Sequence, residues 1–125
     1  MSIRTINDMV NWVENNIEEE PTLERMANHV GYSEFYCSAK FHEYVGVSFK
    51  EYVLRRKLSL AAEMLLTTDA RIIEIAVLYG FSSHEAFSRA FKKLLAILQI
   101  KFERYSQNYH RLIEFGSFES TPNLK

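Results

Sequence analysis

The sequence predicts an all-α protein of two helix-turn-helix subdomains joined by a long linker helix. Two observations carry this. The first is a segment written twice: Ala27-Asn28-His29-Val30-Gly31-Tyr32-Ser33 and Ala76-Val77-Leu78-Tyr79-Gly80-Phe81-Ser82. Each copy has Ala, three residues, Gly, an aromatic and Ser. An apolar helical stretch precedes each Ala (Leu23 and Met26; Ile72, Ile73 and Ile75), and a second helix carrying Phe41 or Phe91 follows. Small Ala lets the second helix pack closely, and Gly takes the positive φ of a sharp turn. The aromatic is expected to plug the core. The second observation is the stretch 49–66 between the copies, whose apolar residues recur at helical spacing.

The elements follow in order. Ile3, Ile6, Met9, Val10, Val13 and Ile17 predict a helix over roughly 3–18. Glu18-Glu19-Glu20-Pro21 stops it, because the residue before Pro avoids the α region. Thr22 caps a helix over 23–30, Ser33 caps one over 34–44, and Gly46 ends it. Ser48-Phe49-Lys50-Glu51 is a capping box opening the linker helix. Tyr52, Val53, Leu58, Ala61, Ala62, Leu65 and Leu66 mark its apolar positions. At 1.5 Å per residue it is roughly 27 Å long. A rigid strut of that size suits two helices held in successive major grooves, which lie about 34 Å apart. After a loop at Thr67-Thr68-Asp69, a helix over 71–79 ends at Gly80, and Ser82-Ser83-His84-Glu85 supplies a second capping box.

The repeats align with one extra residue in the second copy. Cys37 then matches Phe87, Ala39 matches Arg89 and Phe41 matches Phe91, so the two second helices are not equivalent. From Ser83 to Phe115 there is neither Gly nor Pro. Phe91, Leu95, Leu98, Phe102, Tyr105, Tyr109 and Leu112 form a 3.5-residue stripe. It fits one long helix with an intermolecular seam, or two shorter helices closing the second lobe. Gly116–Lys125, with Pro122, reads as a frayed tail.

With 125 residues and 47% hydrophobic content the chain is long and apolar enough for a packed core. Net charge is −1 and the pI about 6.4, but the distribution is uneven. Residues 1–30 carry Asp8, Glu14, Glu18, Glu19, Glu20 and Glu24 against Arg4 and Arg25. Residues 82–104 carry Arg89, Lys92, Lys93, Lys101 and Arg104 against Glu85 and Glu103. Residues 33–60 carry Lys40, Lys50, Arg55, Arg56 and Lys57 against Glu34, Glu43 and Glu51. Positive charge therefore sits in and just after the two candidate reading helices, where phosphates would lie. A single cysteine, Cys37, excludes an internal disulfide and points to a reducing compartment. No membrane-spanning run or signal-peptide core is present, so a cytoplasmic protein acting on the nucleoid, without membrane contact, is expected.

Helix, tight turn, helix is the motif whose second helix enters a DNA major groove. The residues carry a specific likeness. Leu23-Glu24, Ala27, Gly31-Tyr32-Ser33, Phe41, Gly46, Glu51-Tyr52, Arg56-Lys57-Leu58, Ala61-Ala62, Leu65-Leu66, Ile72, Ile75-Ala76, Gly80-Phe81-Ser82-Ser83 and Ala86-Phe87-Ser88-Arg89-Ala90-Phe91-Lys92-Lys93 resemble the DNA-binding domain of the AraC/XylS family of transcription regulators. The layout is similar to the free-standing activators of the multiple-antibiotic-resistance type.

The resemblance implies about seven helices. Residues 1–105 would form the double helix-turn-helix domain, with lobes about 3–47 and 68–105, and 106–125 a C-terminal extension. It implies an asymmetric double-stranded DNA site, recruitment of RNA polymerase, and binding as a monomer or homodimer. Carried over by position, Phe35, Ser38, Ala39 and Lys40, with Glu34 before them, and His84, Glu85, Ser88 and Arg89 would read bases. Arg89 leads, since Arg bonds guanine O6 and N7 together, worth about 1–3 kcal/mol of discrimination. Ser33, Arg56, Ser82, Ser83, Lys92 and Lys93 would hold phosphates.

Three places depart from the family pattern. Ala39 stands where Arg is usual, and Leu54 where a basic residue is common. At 96–103 the closing Gly, Pro and Tyr-Arg give way to Ala96-Ile97-Leu98-Gln99-Ile100-Lys101-Phe102-Glu103. No enzyme chemistry, cofactor or metal is expected. Cys37 sits where the repeat wants an apolar residue, and His29, His42, His84 and His110 make no ligand spacing with it. A second reading is a protein-interaction module that dimerises through the 91–112 stripe and modulates other regulators.

Overall fold

Six helices follow one another in the computed structural model: α1 (Ile3–Asn15), α2 (Leu23–Val30), α3 (Glu34–Val45), α4 (Phe49–Thr67), α5 (Ile72–Leu78) and α6 (His84–Glu114). The structure describes residues 2–114, and at 101, 102, 105 and 108–114 the backbone alone. Among the described residues there is no strand. The chain falls into two units, Met1–Ser88 and Arg89–Lys125, so the division lies within α6.

In the first unit, Ile6, Met9 and Val13 come at steps of three and four and give α1 one buried face, which Ile17 extends. The helix stops three residues short of the sequence expectation. The Asn16 side-chain amide donates to the Trp12 carbonyl at 2.8 Å, a local bond that competes with further helix. The chain then bends through Glu20, whose φ of 53° is left-handed. Arg25 braces the bend: Nη1 donates to the Glu19 and Glu20 carbonyls at 3.0 and 3.2 Å. Its guanidinium lies 5.3 Å from the Trp12 ring centroid.

Thr22 and Ser33 cap α2 and α3, their hydroxyls accepting from the Arg25 and Tyr36 amides at 3.2 and 3.1 Å. Cys37 and Phe41 form the inner face of α3. Phe41 meets Phe49 and Tyr52 edge to face, each at 5.6 Å between centroids, and so joins α3 to α4. Burial of such a ring is worth about 1.5–3 kcal/mol. These side chains, with Met26, Ala27 and Val53, complete one core cluster.

α4 runs for 19 residues. Ser48 accepts from the Glu51 amide at 3.1 Å, but the capping box is only half made, because the Glu51 carboxylate takes Arg55 Nε at 2.8 Å. Leu58 and Ala61 are buried farther along it, as are Ile75, Ala76, Tyr79 and Phe87 beyond. Ile72 and Ile73, of the apolar stretch before Ala76, are 45% and 54% exposed. On so short a helix only one face meets α4, and Ile75 and Ala76 occupy it.

The two turns share one geometry. Gly31 and Gly80 have φ of 84° and 80°. The amide of the following aromatic reaches back to the carbonyl of the matched alanine, Tyr32 to Ala27 at 3.3 Å and Phe81 to Ala76 at 2.9 Å. The aromatics themselves do not both plug the core. Tyr32 is 43% exposed and stacks on Tyr36 at 5.3 Å, whereas Phe81 is half-buried against Phe87 at 5.3 Å. The Tyr hydroxyl keeps its end of the ring in water.

Ser83, not Ser82, caps α6: its hydroxyl accepts from the Ala86 amide at 3.1 Å. The residue three beyond the cap is then Ala86, which has no carboxylate, so the second capping box does not form. α6 is one continuous helix, the first of the two alternatives the stripe allowed, where the family resemblance implied a sixth and a seventh. The reason is local, since the Gly and Pro that would break it near 96–103 are absent. In the second unit Leu95, Leu98 and Ile100 are 48–52% exposed. The side chains of Phe102, Tyr105, Tyr109 and Leu112 of the stripe, and the whole tail at 116–125, lie outside what is described. Among the described residues no helix is long and apolar enough to cross a membrane.

Candidate nucleic-acid interface

The site rests on helices that the turns deliver with one face outward. On α3, Cys37 and Phe41 point into the core, which turns Phe35, Ser38, Ala39 and His42 outward together, at i, i+3, i+4 and i+7. All four are exposed, Phe35 to 87%. Lys40 leaves this face: its Nζ bonds Glu43 Oε2 at 3.2 Å and lies 5.9 Å from the Tyr36 ring centroid. The Glu43 carboxylate raises the ammonium pKa. His42, not among the residues expected to read bases, shares this exposed face one four-residue step on from Ser38.

On α6, His84, Glu85 and Arg89 are exposed and Ser88 is half-buried. His84 Nδ1 and Glu85 Oε1 are 3.5 Å apart, a contact that becomes an ion pair when the imidazole is protonated. Ser82 is exposed and Ser83 half-buried. Ser33 and Ser83, used as caps, accept through oxygen, and the hydroxyl hydrogen is the donor a phosphate would take. Lys92 and Lys93 are exposed in the second unit.

Arg56 stands elsewhere. It clasps Glu14 of α1 through two bonds of 2.8 Å, Nε to Oε2 and Nη2 to Oε1. The Tyr52 hydroxyl donates to the same Oε2 at 2.7 Å. The Arg56 hydrogen bonds hold the Glu14 carboxyl below its ordinary value, and Glu14 in turn raises Arg56. Burial first, and the bond to Glu14 second, push the Tyr52 phenol up to about 12. A phosphate contact by Arg56 would have to compete with this pair. That Glu14 and Tyr52 would meet Arg56 was not visible in the sequence, since 42 residues separate Glu14 from Arg56 and 38 separate Tyr52 from Glu14.

Beside α4, Lys50, Val53, Leu54 and Lys57 line a recess of about 220 Å³ with Tyr79, Gly80 and Phe81. Leu54, in place of a basic residue, makes its wall apolar. The Cys37 thiol is buried, and burial raises its pKa, which suits a packing role. Among the described residues no group of three or more His, Cys, Asp or Glu is placed to hold a metal ion.

Two Gly turns of one geometry, each followed by a Ser-capped helix with an outward polar or apolar face, define a double helix-turn-helix domain. Comparison agrees. A family model described as "Helix-turn-helix domain" matches residues 26–104. The HTH-type transcriptional activator AarP of Providencia stuartii is 32% identical over 108 residues, covering 86% of this chain and 80% of that protein. The HTH-type transcriptional regulator YbfP of Bacillus subtilis is 40% identical over 91 residues, 73% of this chain but only 31% of YbfP. The crystal structure of an AraC-type DNA-binding regulator from Chromobacterium violaceum superimposes with a TM-score of 0.71 at 29% identity, covering 74% of this chain and 83% of that one. The chain belongs to the AraC/XylS family of helix-turn-helix transcription regulators.

Proposed function

We propose that this chain activates transcription by reading an asymmetric duplex site with α3 and the start of α6, and recruits RNA polymerase there. The observation that carries the reading is the pair of matched turns, with the Tyr32–Ala27 and Phe81–Ala76 bonds repeated. Each turn ends on a capped helix with an exposed face. Phe35, Ser38, Ala39 and Lys40, and His84, Glu85, Ser88 and Arg89, meet base edges. Ser33, Ser82, Ser83, Lys92 and Lys93 meet phosphates, and Arg56 joins them only by leaving Glu14. Residues 1–105 form the reading domain and 106–125 its extension. The protein works in the cytoplasm, at the nucleoid, as a monomer or homodimer.

Selection from a random duplex library at near-physiological salt tests this. The expected result is an enriched site of two short boxes about one helical turn apart. Enrichment of nothing contradicts it.

A further inference from the structure

We infer that α3 selects its half of the site by the C5-methyl group of thymine, with Phe35 and Ala39 as the contacting side chains. The inference rests on the duplex-binding reading above and names the chemistry of one half of it. Residues near the start of a recognition helix contact base edges, and Phe35 is the second residue of α3. Its ring is 87% exposed. A phenyl ring so placed lacks apolar cover, and a partner that supplies apolar surface gains by covering it. Ala39, one turn on, extends the same apolar strip, and its methyl leaves room for close approach.

The rest of the face sets what can be read. Bidentate recognition of guanine needs Arg or Lys, and of adenine Asn or Gln. Phe35, Ser38, Ala39 and His42 include none of these. The one cation nearby, Lys40, is bonded to Glu43 at 3.2 Å. What a major groove offers to such a face is its apolar feature, the thymine methyl, which Phe and Ala side chains contact. Ser38 takes a single hydrogen bond to whichever base lies beside it.

The test uses the full chain and a duplex site selected from the random library. Each thymine is replaced in turn by deoxyuridine, which removes the methyl and nothing else. Roughly fourfold weaker binding is expected at one or two thymines of a single box. Phe35→Ala, at an exposed helical position, should reduce the thymine–uracil difference, and Phe35→Ala with Ala39→Ser, also exposed, should abolish it. Phe35→Leu should keep part of the difference. Intact site preference with indifference to every uracil overturns the inference alone, as does a penalty that survives unchanged in the Phe35→Ala, Ala39→Ser double variant. Loss of all site preference in the unaltered protein overturns the duplex-reading function, and this inference with it.

Discussion

Glu14 and Arg56, 42 residues apart, meet in a two-bond ion pair at 2.8 Å that fastens α1 to the linker helix. Tyr52 closes the group at 2.7 Å. α1 makes no part of the proposed reading faces on α3 and α6. Its role is to cover the first core, and the pair fixes the angle at which it does so.

A pH dependence follows. The Glu14 pKa in the folded chain lies below its ordinary 4.5. A depressed carboxylate contributes stability that is fully present above the unfolded value and is lost as pH falls through the folded one. The pair is about one-third exposed, so its worth is near that of a good surface bridge, about 1 kcal/mol. Glu14→Gln should lower stability by about that much at neutral pH, and the gap to the parent should narrow once pH falls below 4.5 and close below the depressed folded value. Urea unfolding at a series of pH values checks both; a gap that persists unchanged at acid pH would show that the charge is not the cause.

The two turns make a second prediction. An L-residue held left-handed costs roughly 1–2 kcal/mol. A Cβ at Gly31 would meet nothing within 4 Å, whereas one at Gly80 would lie 3.2 Å from Glu20 Oε1 and 3.7 Å from Lys57 Nζ. Gly31→Ala should therefore cost the conformational term alone. Gly80→Ala should cost that and a little more, because the crowding atoms end flexible side chains. In a Glu20→Ala background the excess should vanish. Thermal unfolding of the four variants measures it.

Arg89 and Lys92 separate reading from holding. Arg89→Ala should cost about 1–3 kcal/mol on the selected site and relax preference at one base pair. Lys92→Ala should weaken all duplexes alike and reduce the salt slope by about one. Titrations at several salt concentrations distinguish the two, and equal behaviour of both variants would reassign Arg89 to the backbone.

Local rules made most of this fold legible. The caps Thr22, Ser33 and Ser48 and the turns at Gly31 and Gly80 depend on neighbours within a few residues. The set Phe35, Ser38 and Ala39 came from the family resemblance, and the helical period that buries Cys37 and Phe41 turns it outward. What was hidden lies at longer range or between near-equal choices. Nothing local ties Glu14 to Arg56, so the pair that a phosphate contact by Arg56 would have to displace was not visible. Ser82 and Ser83 are both good caps, and packing of Phe87 against Phe81 fits the start of α6 that follows Ser83. The single α6 was foreshadowed by the missing Gly and Pro, while the family pattern argued for a break.

The measurement that bears most directly on the central claim is the ratio of affinities for the selected duplex and a scrambled duplex of equal length, by fluorescence anisotropy near 150 mM salt. A sequence-reading domain should prefer its site by on the order of 1,000-fold or more. A ratio near one, with binding that simply fades as salt rises, would mean that the chain holds phosphates and reads nothing.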